Sequence, residues 1–224
     1  MKKQYFVVGT DANVGESLIA AALLLRAAEA GLKTIGLKPV ATGCDEGGHS
    51  EEALQLQTVM TQALDYQQVN PVALTPAMEP HLAAQQEGRT LRAGTLAGYC
   101  RGSLMTDADF AVVEGVGGWR VPLNNRETLA DLAKELRLPV ILVVGLRPGC
   151  INHALLSAES ILRDGLPVVG WVANLLDPDM PCWEESVATL CEWMPGPCLG
   201  TIPHLQQASP TILSQHIDII ELLD

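Results

Sequence analysis

The segment VVGTDANVGESL, residues 7–18, holds the residue types of a loop that cradles phosphate. Such a loop is written G-x-x-x-x-G-K-[ST] and sits between a buried strand and a helix. Gly9, Gly15 and Ser17 supply its glycines and its hydroxyl, with an apolar run before them and an alanine- and leucine-rich run after. The backbone amides of Ala12, Asn13, Val14, Gly15, Glu16 and Ser17 then face a phosphate, and the helix start adds partial positive charge. The lysine of the motif is replaced by Glu16. That lysine acts as a point cation on the outer phosphates. At ~4 Å and an effective dielectric of ~20, one pair of unit charges is worth ~4 kcal/mol. The replacement turns attraction into repulsion unless Glu16 turns away, protonates or binds a metal. An acid in a first helical turn also favours the helix terminus, so the stretch reads equally well as an ordinary helix start.

Other residues suit the same chemistry. Glu114 closes an apolar run just before GVGGW, and the carboxyl ends of parallel strands are where such sheets bind ligands. A carboxylate there suits Mg²⁺, a hard cation that takes oxygen ligands and water. The alternative is a buried, hydrogen-bonded turn. Glu52 opens a helix and offers either a second oxygen or a helix-end interaction. Lys38, beside Pro39, either places a cation over a transferring phosphoryl group or closes a strand at the surface. Thr10, Asp11 and Thr42 touch a ligand or brace turns. The free amides of 150–153 suit a carboxylate, and His153 is either a ligand contact or a structural histidine.

The elements that must position these residues alternate along the chain. Strands are expected at 4–9, at 33–40 up to Lys38-Pro39, at 109–114, 139–145, 166–174 and 198–203. Helices are expected at 16–30, from Ser50 onward, and at 91–106, 127–137, 150–165, 182–194 and 212–223. The apolar strands are uninterrupted, as when helices cover both sheet faces. The stretch 65–90 is irregular, with three prolines and a short helix after Pro80. Strand–helix alternation with short loops gives one α/β domain with a mostly parallel sheet.

Composition narrows the function. Among 224 residues, 48% are hydrophobic and 18% charged, which is globular. A net charge of -12 with scattered arginines argues against a broad nucleic-acid footprint and a polybasic membrane patch. No run approaches a membrane span and no signal peptide is expected in MKKQYFVVGT, so the expected location is the cytoplasm. The six cysteines form no CxxC pair and are expected to be reduced thiols. No HExxH or GxSxG motif marks a metallohydrolase or an esterase.

Taken together, YFVVGTDANVGES, GLKPVATG, EEALQLQ, VNPVAL, VVEGVGGWRVPL, LPVILVVGLRPGCINHALLSAE, GLPVVGWVAN and LGTIPHL closely resemble the dethiobiotin synthetase family over nearly the whole chain. The resemblance implies a single P-loop NTPase-like α/β domain over 1–224, usually in a homodimer. It implies ATP- and Mg²⁺-dependent closure of a cyclic urea from 7,8-diaminononanoate and CO₂, in biotin biosynthesis. Ser17, Glu52 and Glu114 match the magnesium-associated positions, though the family more often has aspartate where Glu52 stands. Lys38 matches a catalytic lysine near the carbamate and the γ-phosphate, and Thr42 lies in the substrate-side loop. Cys150, Ile151, Asn152 and His153 match the segment that holds the substrate carboxylate in the partner subunit. Asn174 matches the adenine-recognition asparagine, and Pro203 flanks the base. The departures are Glu16, Ala12 and Asn13 in the phosphate loop, and Ser186 where a substrate-contacting tyrosine is often found. They imply weakened turnover, or else a noncatalytic homologue or a ligase with another substrate.

Overall fold

The computed structural model describes residues 2–223. The main sheet contains β1 (Lys3–Gly9), β2 (Thr34–Leu37), β5 (Phe110–Gly118), β6 (Val140–Leu146), β7 (Val168–Leu175) and β8 (Cys198–Ile202). Its order is β2-β5-β1-β6-β7-β8, and every neighbouring pair is parallel. The expected α/β class with helices on both faces is observed. Alternate residues of one strand feed different faces: Phe6 and Val8 of β1 pack into one core, Tyr5 and Val7 into the other. In β6, Val140, Leu142 and Val144 enter the first core and Ile141 and Val143 the second. Such strands read as continuous apolar runs because neither face meets water.

Helix α1 (Glu16–Glu29) buries its alanines and leucines against one face. The opposite face is covered by α5 (Ala93–Leu104), α6 (Leu129–Leu136) and α7 (Cys150–Arg163), with α8 (Trp183–Trp193) packed beside α7. Helix α2 (Glu51–Val59) starts at Ser50, whose side chain accepts from the Ala53 amide, the capping role expected of it.

Four regions depart from the sequence expectation. The expected strand 33–40 is two strands. β2 stops at Leu37, and β3 (Val40–Thr42) leaves to pair with β4 (Val72–Leu74) in a separate two-stranded sheet. The division falls at Lys38-Pro39. The Lys38 amide donates to Val69 O (2.8 Å) and its carbonyl accepts from Asn70 Nδ2 (2.6 Å), and proline has no N–H for a ladder. The irregular 65–90 stretch holds α3 (Tyr66–Val69) and β4, which were not expected, together with α4 (Pro80–Gln86), the short helix expected after Pro80. The expected helix 212–223 is broken into α9 (Pro210–Ser214) and α10 (Ile220–Leu223). Between them the Asp218 amide donates to Leu199 O (2.7 Å), and the Asp218 carboxylate receives the Ile220 amide. Strand β5 also runs past Glu114 to Gly118, because β1 continues to pair with it as far as Gly9.

Candidate active site

The carboxyl ends of β1, β2 and β5 open into a cleft of about 930 Å³. At its floor, the Lys38 ammonium is 1% exposed and Glu114 is fully buried. Lys38 Nζ donates to Glu114 Oε1 (2.5 Å) and Gly115 O (2.9 Å), and it pairs with Glu52 Oε2 (2.7 Å). Lys38 is therefore not a surface residue closing a strand. The turn that separates β2 from β3 carries it under the cleft. Ser17 Oγ donates to the same Glu114 oxygen (2.5 Å). The second oxygen, Glu114 Oε2, is buried without a hydrogen-bond partner among the described residues.

This arrangement shifts both charges. Burial pushes the Glu114 carboxyl up to about 7, against the pull of Lys38 and Ser17. Burial lowers the Lys38 ammonium, but Glu114 and Glu52 outweigh it and hold it above the ordinary lysine value. One lysine thus serves two carboxylates, and one carboxylate oxygen is left without a donor. A cation satisfies such an oxygen better than water does when burial is complete. Among the described residues no group of three or more His, Cys, Asp or Glu side chains is placed to hold a metal unaided. The residues present fit Mg²⁺, which takes one or two carboxylates and draws its other ligands from water and substrate phosphates.

The phosphate loop is longer than the motif. Five residues, 10–14, separate Gly9 from Gly15, where the motif has four. Two left-handed residues absorb the extra one: Asn13 at φ 58° and Gly15 at φ 90°. A Cβ on Gly15 would also stand 2.5 Å from Asn174 Nδ2, so glycine is required there by conformation and by space. Ala12 and Asn13 are exposed at the cleft rim, whereas Val14 is buried and its carbonyl accepts from Asn174 Nδ2 (2.8 Å).

Glu16 does not turn away from the cleft. It is 8% exposed and lines the cavity, and its Oε1 accepts from the Gly117 amide (3.1 Å). Burial raises its carboxyl above the usual range, while its own backbone amide, Lys38 and Gly117 pull the other way. Gly117 sits at φ 64° in the GVGG turn, and that conformation presents its N–H to the cleft.

Thr42, Lys38 and Glu52 share this cleft with Thr10, Asp11, Ala12 and Asn13. Other predicted residues lie elsewhere in the chain. Cys150, Ile151, Asn152 and His153 form the first turn of α7 behind left-handed Gly149, and the cleft meets α7 only further on, at Leu156, Ser157 and Ser160. Pro203 lines a separate cavity of about 450 Å³ with Thr201, Trp183 and His216. Asn174 pairs in register with Ile202 at the end of β8, on the same side as Pro203. Ser186 faces solvent, and its hydroxyl donates to Cys182 O. Two latches were not foreseen. Asp11 pairs with Arg147. Asp164, at the end of α7, receives Trp119 Nε1 (2.7 Å) and pairs with Arg120 (2.9 Å), which fixes the GVGGWR wall. The tryptophan and arginine were legible in that segment, but nothing local to them indicates an acceptor 45 residues away.

A parallel sheet with a glycine-rich loop entering α1, and a buried carboxylate on the neighbouring strand β5, defines the P-loop NTPase-like class. Residues 3–211 match a family model described as an AAA domain. The fold is similar to a chain of the MinC:MinD cell division protein complex of Aquifex aeolicus, with TM-score 0.59 and 12% identity over 98% of this chain and 93% of that one. It is also similar to the MinD of Pyrococcus horikoshii complexed with Mg-ADP, with TM-score 0.54 and 15% identity over 89% and 81%. At these identities the likeness concerns fold alone. Sequence relatives are far nearer. The ATP-dependent dethiobiotin synthetase BioD of Cellvibrio japonicus is 57% identical over all of this chain and 99% of its own. BioD of Pseudomonas aeruginosa strain LESB58 is 53% identical over 96% of each chain, and that of Marinobacter nauticus 47% identical over 100% and 99%. The chain belongs to the dethiobiotin synthetase family.

Proposed function

We propose that this chain closes the cyclic urea of dethiobiotin from 7,8-diaminononanoate, CO₂ and ATP, with Mg²⁺, as a cytoplasmic homodimer in biotin biosynthesis. The observation that carries this reading is the buried Lys38 ammonium at the floor of the cleft, fixed by Glu114, Glu52 and Gly115 O. A substrate amine adds to CO₂ to give a carbamate. A carbamate oxygen takes the γ-phosphoryl group of ATP and releases ADP. The second amine then attacks the carbamate carbon, the bond from that carbon to the phosphorylated oxygen breaks, inorganic phosphate leaves, and the ring closes with each amine nitrogen having given up one N–H proton, one at carbamate formation and one to the departing phosphate.

Lys38 faces the anionic carbamate and the charge that develops on the transferring phosphoryl group. Its three hydrogen bonds hold it in place before substrate arrives, and such preorganisation is the larger part of electrostatic catalysis. Ser17 and Glu114, with Glu52, would hold magnesium, which supplies charge neutralisation between phosphate oxygens. The amides of the loop from Ala12 to Ser17 receive the phosphates, Asn174 and Pro203 face the adenine, and Thr42 lies on the substrate side. The substrate carboxylate goes to residues 150–153 of the second protomer, which accounts for their absence from the cleft of their own chain.

Glu16 weakens nucleotide binding in this reading. Its carboxylate stands where a loop lysine would meet the outer phosphates, and it already occupies the Gly117 amide. The same contact favours a second reading, a homologue that binds ligand without turnover. Incubation with ATP, Mg²⁺, bicarbonate and 7,8-diaminononanoate separates the two. Enzyme-dependent dethiobiotin and ADP in equal amounts support the synthetase. Calorimetric nucleotide binding with no dethiobiotin at saturating substrate supports the noncatalytic homologue.

A further inference from the structure

A further cavity, of about 650 Å³, is lined by residues that adjoin those of the cleft at His81 and Leu123. Arg89, Arg92, Arg126 and His81 line it, together with Asn124 and Glu127. The chain carries only 14 lysines and arginines and has a net charge of -12, so three arginines around one cavity run against its overall field. They come from three separate places: the segment after α4, the residue that opens α5, and the turn 123–127.

Their charges are not consumed by the protein. Among the described residues, the side chains of Arg92 and Arg126 make no hydrogen bond and no ion pair. Arg89 pairs only loosely with Glu87 (3.4 Å) and donates to Ala73 O. The acid in the wall, Glu127, is already engaged by Asn124 Nδ2 (2.6 Å) and lies near the Ala93 amide. His81 lines the same cavity, and its Nδ1 is buried with no partner among the described residues. A buried polar atom left unpaired is unfavourable, and native structures keep few of them.

The turn 123–127 is braced by hydrogen bonds. Asn124 accepts the Arg126 and Glu127 amides and donates to Leu91 O (2.7 Å), which ties the turn to the start of α5. Planar guanidinium forks match carboxylate and phosphate oxygens in bidentate geometry. We propose that this cavity binds a small multivalent anion bearing carboxylate or phosphate oxygens, at a site separate from the catalytic cleft. Two stretches of chain are common to the two cavities: Pro80 and Pro122 line the cleft, and their neighbours His81 and Leu123 line the arginine cavity.

The test is calorimetric titration of the full chain with citrate and, separately, with inorganic pyrophosphate at fixed ionic strength. It is run on the wild type, on the double variant Arg92→Gln/Arg126→Gln, and on Ser17→Ala as a control for the phosphate loop. Submillimolar binding of at least one probe is expected. The double variant is expected to weaken it by at least about tenfold, as two charge-assisted contacts are lost, while Ser17→Ala leaves it unchanged. Preference for citrate identifies a polycarboxylate ligand and preference for pyrophosphate a phosphorylated one. Movement of the His81 imidazole ¹⁵N resonances on titration, in a double variant with native circular dichroism, locates the residual binding. No binding of either probe to the wild type at millimolar concentration overturns the proposal. So does unchanged affinity in the folded double variant, or loss of binding in Ser17→Ala alone. These outcomes are independent of whether dethiobiotin is made.

Discussion

Two adjacent cavities in this molecule carry opposite charge. The cleft at the strand ends gathers Asp11, Glu16, Glu52 and Glu79 around Lys38 and Arg120, with Glu114 beneath. The cavity beside it gathers three arginines and a histidine around Glu127. As proposed, the first takes an anion that arrives with its own cation, and the second an anion that arrives bare. The difference shows why net charge is a poor guide to ligand charge. The protein's overall charge describes its long-range field, while each site is set by the few groups within a Debye length or less.

The largest expected effect comes from removing the single cation on the cleft floor. Lys38→Ala leaves Glu114 buried without its counter-charge. It is expected to lower kcat by about 10²–10³-fold and stability by about 3–5 kcal/mol, measured by single-turnover ADP formation and urea unfolding. Wild-type stability at this site would show that the floor is not an ion network.

The raised Glu114 carboxyl gives a second handle. Its ordinary value is 4.5 and its folded value about 7. The folded state therefore holds the proton more tightly, and this stabilisation is complete below about 4.5 and is lost as pH rises to about 7. Its full size is about 3 kcal/mol, and the raised Glu16 carboxyl acts in the same direction. Urea midpoints at pH 4.5 and 7.5 should fall across that window in the wild type. They should be flatter in Glu114→Gln.

Glu16→Lys moves the cleft toward the charge of its neighbour. ATP binding should tighten by at least about tenfold, since even a third of the ~4 kcal/mol unit-charge scale is a factor of ten, and turnover should rise. Unchanged affinity and rate would mean that the Glu16 carboxylate does not meet phosphate. The smallest effect is expected at the Trp119–Arg120 wall of the cleft. Asp164→Asn keeps an acceptor for Trp119 but loses the charge facing Arg120. A loss of about 1–2 kcal/mol in stability and a few-fold rise in substrate KM should follow, with kcat nearly unchanged.

Much of this was legible in the sequence. The apolar runs at 4–9, 109–114 and 139–145 marked the strands, because a doubly covered parallel sheet leaves them no polar face. Glu114 could be placed at the cleft because it ends such a run. Local pattern could not show that Lys38 is buried, since its burial depends on Val69 and Asn70 drawing the chain out of the sheet. Nor could it show that Glu16 meets Gly117, which is 101 residues away in sequence. The extra loop residue was hidden by the match of its glycines, and the left-handed Asn13 that accommodates it is a matter of backbone geometry. The arginine cavity draws on three segments that carry no shared motif. The C-terminal helix was expected to be continuous because its apolar spacing survives the break that Asp218 makes.

The most direct test follows dethiobiotin and ADP together, with purified chain, ATP, bicarbonate and 7,8-diaminononanoate, with and without Mg²⁺. The expected result is equal amounts of both products in the presence of Mg²⁺, neither after chelation, and both at a rate lower by about 10²–10³-fold from Lys38→Ala. ADP without dethiobiotin, or no product from the folded wild type at saturating substrates, would contradict the assignment of ring closure to this cleft.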